Sequence, residues 1–170
     1  MDFMRRNIDV WWPHVEAGAE AIVMTASGCG ALVKEYAQGT EYLVDAVSWR
    51  GKHRVIDVRR YLKDTGTLLY DYADTLRPSE QRWQQLARYS IKCLAALGMQ
   101  FGASHTEIID DVEKGPVMIE SAARACGGGA PEFMRHVLGT SQIEAHVEAM
   151  VRGVAWGPYQ PPMPRKAART

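Results

Sequence analysis

Two periodicities divide this chain. From His53 to Leu62 apolar and polar residues alternate, with Val55, Asp57, Arg59 and Tyr61 on one side and Ile56 and Val58 on the other. A repeat of two marks a strand in a sheet. Leu43 to Trp49 is equally β-rich, and Arg50-Gly51-Lys52 between them supplies a hairpin turn. Thr67 to Tyr72 reads as a third strand. Leu76-Arg77-Pro78-Ser79 is a helix-start signal. Trp83, Leu86, Ala87, Ile91 and Leu94 then recur at helical spacing until Gly98 stops the run. Gly102 to Asp110 and Pro116 to Ala122 are two more strands around a polar turn. Short helices follow over Pro131 to Leu138 and Ser141 to Arg152. The pattern predicts an α+β fold: a mostly antiparallel sheet from Leu43 to Ala122, backed by a helix from Ser79 to Leu97.

The ends read differently. Arg6 to about Ala31 predicts a helix capped by Asn7 or Asp9, with Trp11, Trp12 and Val15 on its apolar face and Gly18 at its end. A buried strand over Glu20 to Thr25 and a tight loop at Ala26 to Gly30 come next. The tail from Pro158, with Pro161, Pro162 and Pro164, predicts disorder. The division expected is a helix–strand segment over 1–34, a main unit over 35–153 and a Pro-rich tail over 154–170.

Composition narrows the function. The chain has 170 residues, room for one ordinary domain. Lys plus Arg (20) balances Asp plus Glu (20), which argues against a general nucleic-acid or anionic-membrane binder. No apolar run is long enough to span a membrane. The N-terminus has basic residues without a following apolar stretch, so it does not read as a secretory signal. Cys29, Cys93 and Cys126 form neither a disulfide framework nor a CxxC metal motif. The expectation is a reduced, cytoplasmic protein.

The candidate chemistry lies between Gly102 and Arg124. Taken as a hairpin turning at Glu113-Lys114, this stretch sets Glu107 opposite Glu120, Ile108 opposite Ile119 and Ile109 opposite Met118. Two carboxylates facing each other in a sheet repel. A shared proton would relieve the repulsion, and a divalent cation such as magnesium would relieve it more strongly. Arg124, four residues past Glu120, falls on the same face if the strand stays extended, where a guanidinium could grip a phosphate. Two carboxylates, a metal and an arginine suit phosphoryl transfer. Cys126 to Gly129 would let backbone amides approach a ligand. On the residues alone, paired glutamates on a hairpin are more often solvated surface, and a one-residue slip separates them. His105 by itself reads as a packed or hydrogen-bonded histidine, Cys126 as a bystander thiol, and Trp11-Trp12 as packing.

Resemblance shifts that balance. Lys34 to Asp45, Val47-Ser48 with Gly51 to Arg54, Leu97-Gly98, His105 to Glu107, Gly115 to Glu120 and Ala123-Arg124 match in order and spacing. Over about 35–153 the chain resembles the C-terminal part of an ATP-grasp domain, and within it the carboxylate–amine ligases that join amino acids. The resemblance implies that Glu35 and Tyr36 meet adenine and that Glu41 holds the ribose hydroxyls. It implies that Glu107 and Glu120 ligate Mg2+ on the ATP phosphates and that Arg124 steadies the transferred phosphate. The implied reaction activates a carboxylate as an acyl phosphate at the expense of ATP, and an amine then captures it. Many such domains carry Asn two residues after the second glutamate; here that position is Ala122. The substrate-binding domain and the glycine-rich subdomain of the family have no counterpart before Glu35. Weak ATP binding without turnover is therefore expected. The alternative is a noncatalytic interaction module, a homo-oligomer or the docking site for a partner that supplies the missing subdomain.

Asn7 to Pro13, Gly18 to Val23, Thr25 to Gly30 and Val33 to Tyr36 resemble a different family, the iron–sulfur subunit of glycolate oxidase. One thiolate, Cys29, cannot hold a cluster, so no iron–sulfur function is expected. Both resemblances include Val33-Lys34-Glu35-Tyr36, which suggests a chimera joined near that tetrapeptide.

Overall fold

The computed structural model describes residues 17, 37–63 and 70–152, with backbone alone at 63 and 70–72. The helix and strand expected over 6–31, the residues Glu35, Tyr36 and Cys29, and the tail from Pro158 lie outside the described residues.

Five strands form one antiparallel sheet in the order β3-β2-β1-β4-β5. They are β1 Gly39–Trp49, β2 Lys52–Lys63, β3 Tyr70–Thr75, β4 Phe101–Asp111 and β5 Gly115–Ala122. Among the described residues, three helices follow the same chain order: α1 Gln81–Ala96, α2 Ala130–Leu138 and α3 Gln142–Arg152. The α+β class is as the alternation and helical spacing foretold. The third strand lies later than Thr67 to Tyr72, because pairing with β2 (Arg59 opposite Thr75, Tyr61 opposite Ala73) fixes it rather than local composition.

α1 covers one face of the sheet. Trp83, Leu86, Ala87 and Leu94 pack with Tyr42, Val44, Ala46, Val55, Val58 and Ile108. Each buried side chain of this size is stabilised by roughly 1.5–3 kcal/mol through removal from water. Gly98, at φ 69°, ends the run after Leu97 as its sequence position suggests. α3 covers part of the other face, where Ala145 and Ala149 meet Val47 and Ile56. A capping box starts it: Ser141 Oγ accepts from the Glu144 amide at 3.3 Å, and the Ser141 amide donates to the Glu144 carboxylate at 2.9 Å.

Two irregularities correct the sequence reading. In β2, Asp57 pairs with Asp45 but Val55 pairs with Ala46, so Ile56 is an extra residue in a bulge. Strict alternation put Val55 beside Asp57; the bulge turns Val55 to the α1 side and leaves Ile56, Asp57 and Arg59 on the other. The β4–β5 turn has three residues, Val112 to Lys114, instead of two. Asp111 accepts hydrogen bonds from the Glu113 and Lys114 amides, at 3.0 and 2.9 Å, and Gly115 takes φ 76°. Ile108 therefore faces Met118, not Ile119, and Ile109 faces Val117, not Met118. A second bulge, at Ile119, restores the expected register one step further on. Glu107 faces Glu120 because the two shifts cancel.

Candidate functional site

The site is built on the sheet face away from α1. Strand pairing lays its residues in two rows. One runs Arg59, Leu43, Glu107, Glu120 across β2, β1, β4 and β5; the next runs Asp57, Asp45, His105, Ala122. Glu41, opposite Ile109, stands two residues further along the same face of β1 and is 4% exposed. Close approach of β1 to β4 depends on Gly39: a Cβ there would stand 1.9 Å from the Asp110 carbonyl oxygen.

The second row is a buried ionic network. Arg59 donates through Nε to Asp57 Oδ1 at 2.9 Å, and through Nη2 to Asp45 Oδ2 and to Cys126 Sγ, the last at 3.3 Å. His105 Nδ1 meets the second oxygen of Asp45 at 2.6 Å. Burial pushes Asp45 up, yet the His105 hydrogen bond and the Arg59 charge outweigh it and hold the carboxyl below its usual value. Burial lifts Asp57 to about 7 despite Arg59, with the Asp45 charge adding to the rise. Its Oδ2 is buried without a hydrogen bond among the described residues, which disfavours the ionised form further. The same burial, reinforced by Asp45, lifts the Cys126 thiol to about 12. Cys126 is a protonated, bonded thiol, consistent with its reading as a bystander.

Asp45, His105 and Cys126 bring ligand atoms within 4.8 Å of one another. They do not fit a metal. Arg59 already points a cationic donor at Asp45 and Cys126, and the thiol would have to lose a strongly held proton. Gln142, at the start of α3, locks this layer from below. It donates to the carbonyls of Ala46 and Ser104 at 2.9 and 2.7 Å and accepts from the Cys126 amide at 2.9 Å.

The first row has a different character. Glu107 and Glu120 share one face in register, as expected. The Glu107 side chain is 22% exposed, and Glu120 is half-buried with no hydrogen bond or ion pair to a described residue. Hard oxygen donors of this kind fit a divalent cation such as Mg2+. Arg124 stands apart from this geometry. β5 ends at Ala122, so alternation along a strand does not carry to Arg124, which is exposed and donates to the Ala125 carbonyl at 3.1 Å. The glycines that follow form an exposed turn, with Gly128 and Gly129 at φ 66° and 76°, into α2.

The fold has counterparts among solved structures. An L-amino acid ligase from Bacillus licheniformis superposes with a TM-score of 0.57 at 19% identity, over 66% of this chain and 29% of that one. An ATP-grasp superfamily protein from Archaeoglobus fulgidus superposes at 0.53 and 12% identity, over 78% and 38%. This is an ATP-grasp fold. A third example with the ATP-grasp arrangement, carboxyaminoimidazole ribonucleotide synthase from Aspergillus clavatus, was solved with ATP and superposes at 0.56 and 14% identity, over 79% and 34%.

In sequence, the chain is similar to dapdiamide A synthase of Enterobacter agglomerans, 27% identical over 122 residues, which are 71% of this chain and 28% of the relative. It is also similar to the glycolate oxidase iron–sulfur subunit of Escherichia coli K12, 76% identical over 34 residues, 20% of this chain and 8% of that protein. No protein-family model matches the chain. The chain spans less than two-fifths of the length of each of these relatives.

Sequence reasoning passed over Asp45, Arg59 and Gln142. Asp45 and Arg59 could have been found from the strand pattern, since charged residues inside β-rich runs need partners when buried. Gln142 carried no signal, because its role depends on where α3 docks.

Proposed function

We propose that this chain provides the nucleotide- and cation-binding half of an ATP-grasp ligase site. Glu107 and Glu120 hold a divalent cation, Mg2+, on the phosphates of ATP. Glu41 accepts hydrogen bonds from the ribose hydroxyls, Glu35 and Tyr36 border the adenine, and Arg124 turns from the Ala125 carbonyl to the transferred phosphate. The observation that carries this reading is the in-register pairing of Glu107 with Glu120 on the face away from α1.

When bound, the cation would offset charge on the phosphoryl oxygens. The chain's own residues position it: the β4–β5 pairing fixes the two carboxylates, and Gly39 lets β1 carry Glu41 alongside. In the full reaction a substrate carboxylate oxygen bonds to the γ-phosphorus as the bond to the β–γ bridging oxygen breaks and ADP leaves. An amine then attacks the acyl carbon and expels phosphate. We expect binding without turnover from this chain alone, which spans only 29–38% of the length of the solved relatives named above.

Calorimetric titration with Mg–ATP tests the reading. The parent should give metal-dependent heat that Glu107→Gln or Glu120→Gln abolishes. Silence from the parent, or equal heat from all three proteins, overturns it. A self-associating module is the second reading, favoured by the exposed stripe Ile143, Val147 and Val151 on α3. Light scattering decides it, since a monomer at all concentrations rejects it.

A further inference from the structure

Gln142 is 1% exposed, and its side chain reaches three separate segments. Nε2 donates to the Ala46 carbonyl of β1 at 2.9 Å and to the Ser104 carbonyl of β4 at 2.7 Å. Oε1 accepts from the Cys126 amide at 2.9 Å. Carbonyls on one side and an N–H on the other leave a single orientation for the side-chain amide.

A buried amide costs free energy unless it is satisfied, and a satisfied one fixes one arrangement of the groups around it. The two strands do not need it to stay together, since Ala46 and Ser104 are already partners in the β1–β4 ladder. What Gln142 adds is the tie to Cys126. That amide lies beyond Ala122, where β5 ends, and finds its acceptor in Gln142 rather than in a strand. The clamp is itself held: the Ser141–Glu144 capping box fixes the first turn of α3, and Glu144 also pairs with Arg135 of α2 at 3.1 Å. Arg59 holds the same cysteine through Sγ.

Arg124 sits midway between two fixed points. Ala122 is paired with His105 in the sheet, and Cys126 is held by Gln142. Two residues of chain span at most about 7 Å, so the Arg124 backbone stays within that distance of both anchors. Its exposed side chain rests on the neighbouring Ala125 carbonyl. A long side chain of this kind has many rotamers, and it is aimed only as well as its backbone is fixed.

We infer that Gln142 is a positioning residue: by clamping Cys126 to the centre of the sheet, it holds the Arg124 backbone where the guanidinium can reach a nucleotide phosphate. The inference rests on the nucleotide reading above and adds the means by which Arg124, outside the sheet, keeps its place. Glu107 and Glu120 are fixed independently, by the β4–β5 pairing. Cation binding and nucleotide binding should therefore come apart when the clamp is removed.

The full chain is titrated with Mn2+ alone, which oxygen donors bind as they bind Mg2+, and with Mg–ATP. Gln142→Met keeps the length of the side chain and removes its three hydrogen bonds. It should leave Mn2+ affinity unchanged and weaken Mg–ATP about 10-fold, the loss expected for one hydrogen bond to a charged group. Arg124→Ala should weaken Mg–ATP by a similar factor. The two changes together should weaken it no more than Arg124→Ala alone, because Gln142 acts through Arg124. A side chain that merely supports the fold gives losses that multiply. Should Gln142→Met not fold, Gln142→Glu, which keeps the shape and lacks the N–H donors, takes its place in the same cycle.

Mg–ATP affinity unchanged by Gln142→Met, Mn2+ affinity falling with it, or multiplying losses in the double variant each overturn the role of Gln142 and leave the nucleotide reading standing. Arg124→Ala binding Mg–ATP as the parent does removes Arg124 and Gln142 together and leaves the carboxylate pair. No Mg–ATP binding by the parent overturns the nucleotide reading and this inference with it.

Discussion

The two faces of the sheet answer different physical demands. Toward α1, β1, β2 and β4 present Tyr42, Val44, Ala46, Val55, Val58 and Ile108, and the covering helix answers with Trp83, Leu86 and Leu94. On the opposite face the same strands present Glu41, Asp45, Asp57, Arg59, His105 and Glu107. The apolar face stabilises by excluding water. The ionic face must give buried charges partners: Arg59 serves both Asp45 and Asp57, and His105 also bonds to Asp45. One face makes the fold; the other uses that fold to hold charge where charge costs most.

Removing one member from each face tests the contrast. Arg59→Ala leaves Asp45 and Asp57 buried without their cation and should cost about 3–5 kcal/mol in urea unfolding at neutral pH. Leu86→Ala removes a fully buried side chain from the α1 face and should cost about 2–5 kcal/mol. The faces differ in what rescues them. Adding Asp45→Asn and Asp57→Asn to Arg59→Ala should return part of the loss, because the orphaned charges go with their partner. If the triple variant is no more stable than Arg59→Ala, the cost of that change is packing and the network is not governed by charge.

pH sharpens the same comparison. Asp57 is raised to about 7 in the folded chain, against about 3.9 unfolded. A raised acid contributes stability in full below the unfolded value and loses it as pH climbs through the folded one. The parent should thus lose stability from this group between about pH 4 and 7. Asp57→Asn, which cannot ionise, should show a flatter curve in that window. Asp45 has the opposite sign: its pKa is lowered, so its contribution is present above about 3.9 and is lost as the solution becomes more acidic. Melting temperatures of parent and Asp57→Asn across pH 4–8 check this; parallel curves would mean that Asp57 is ionised throughout.

How much was legible in the sequence also differs between the faces. The apolar face could be read directly: Trp83, Leu86, Ala87 and Leu94 repeat at helical spacing and all are buried against the sheet. The pairing of Glu107 with Glu120 was legible too, although by a turn that is not the one present. A two-residue turn at Glu113-Lys114 gives the same pair as a three-residue turn plus a bulge at Ile119, and the partners of Ile108 to Asp111 tell them apart. The ionic network was not legible. Asp45, Arg59, His105 and Cys126 come from β1, β2, β4 and the segment after β5, and their meeting depends on register across four segments and on the Ile56 bulge. Periodicity within a strand carries no information about which strands adjoin it. Arg124 shows the opposite limit, since its expected alignment assumed a strand that ends two residues earlier.

The smallest expected effect is the most discriminating. Glu120→Gln removes a carboxylate that faces another across the β4–β5 pair and bonds to no described residue. If the pair exists to hold a cation, its repulsion is a standing cost in the unloaded chain, and like charges directly opposite in a sheet destabilise by about 0.2–1 kcal/mol. Without divalent ions, Glu120→Gln should therefore melt at the parent's temperature or slightly above it. With saturating Mn2+ the order should reverse, because a ligand that binds only the folded parent raises its melting temperature and can no longer do so in the variant. A metal-bearing face predicts this crossing, and a merely solvated pair of glutamates does not: it would leave the two melting curves in the same order with and without the ion.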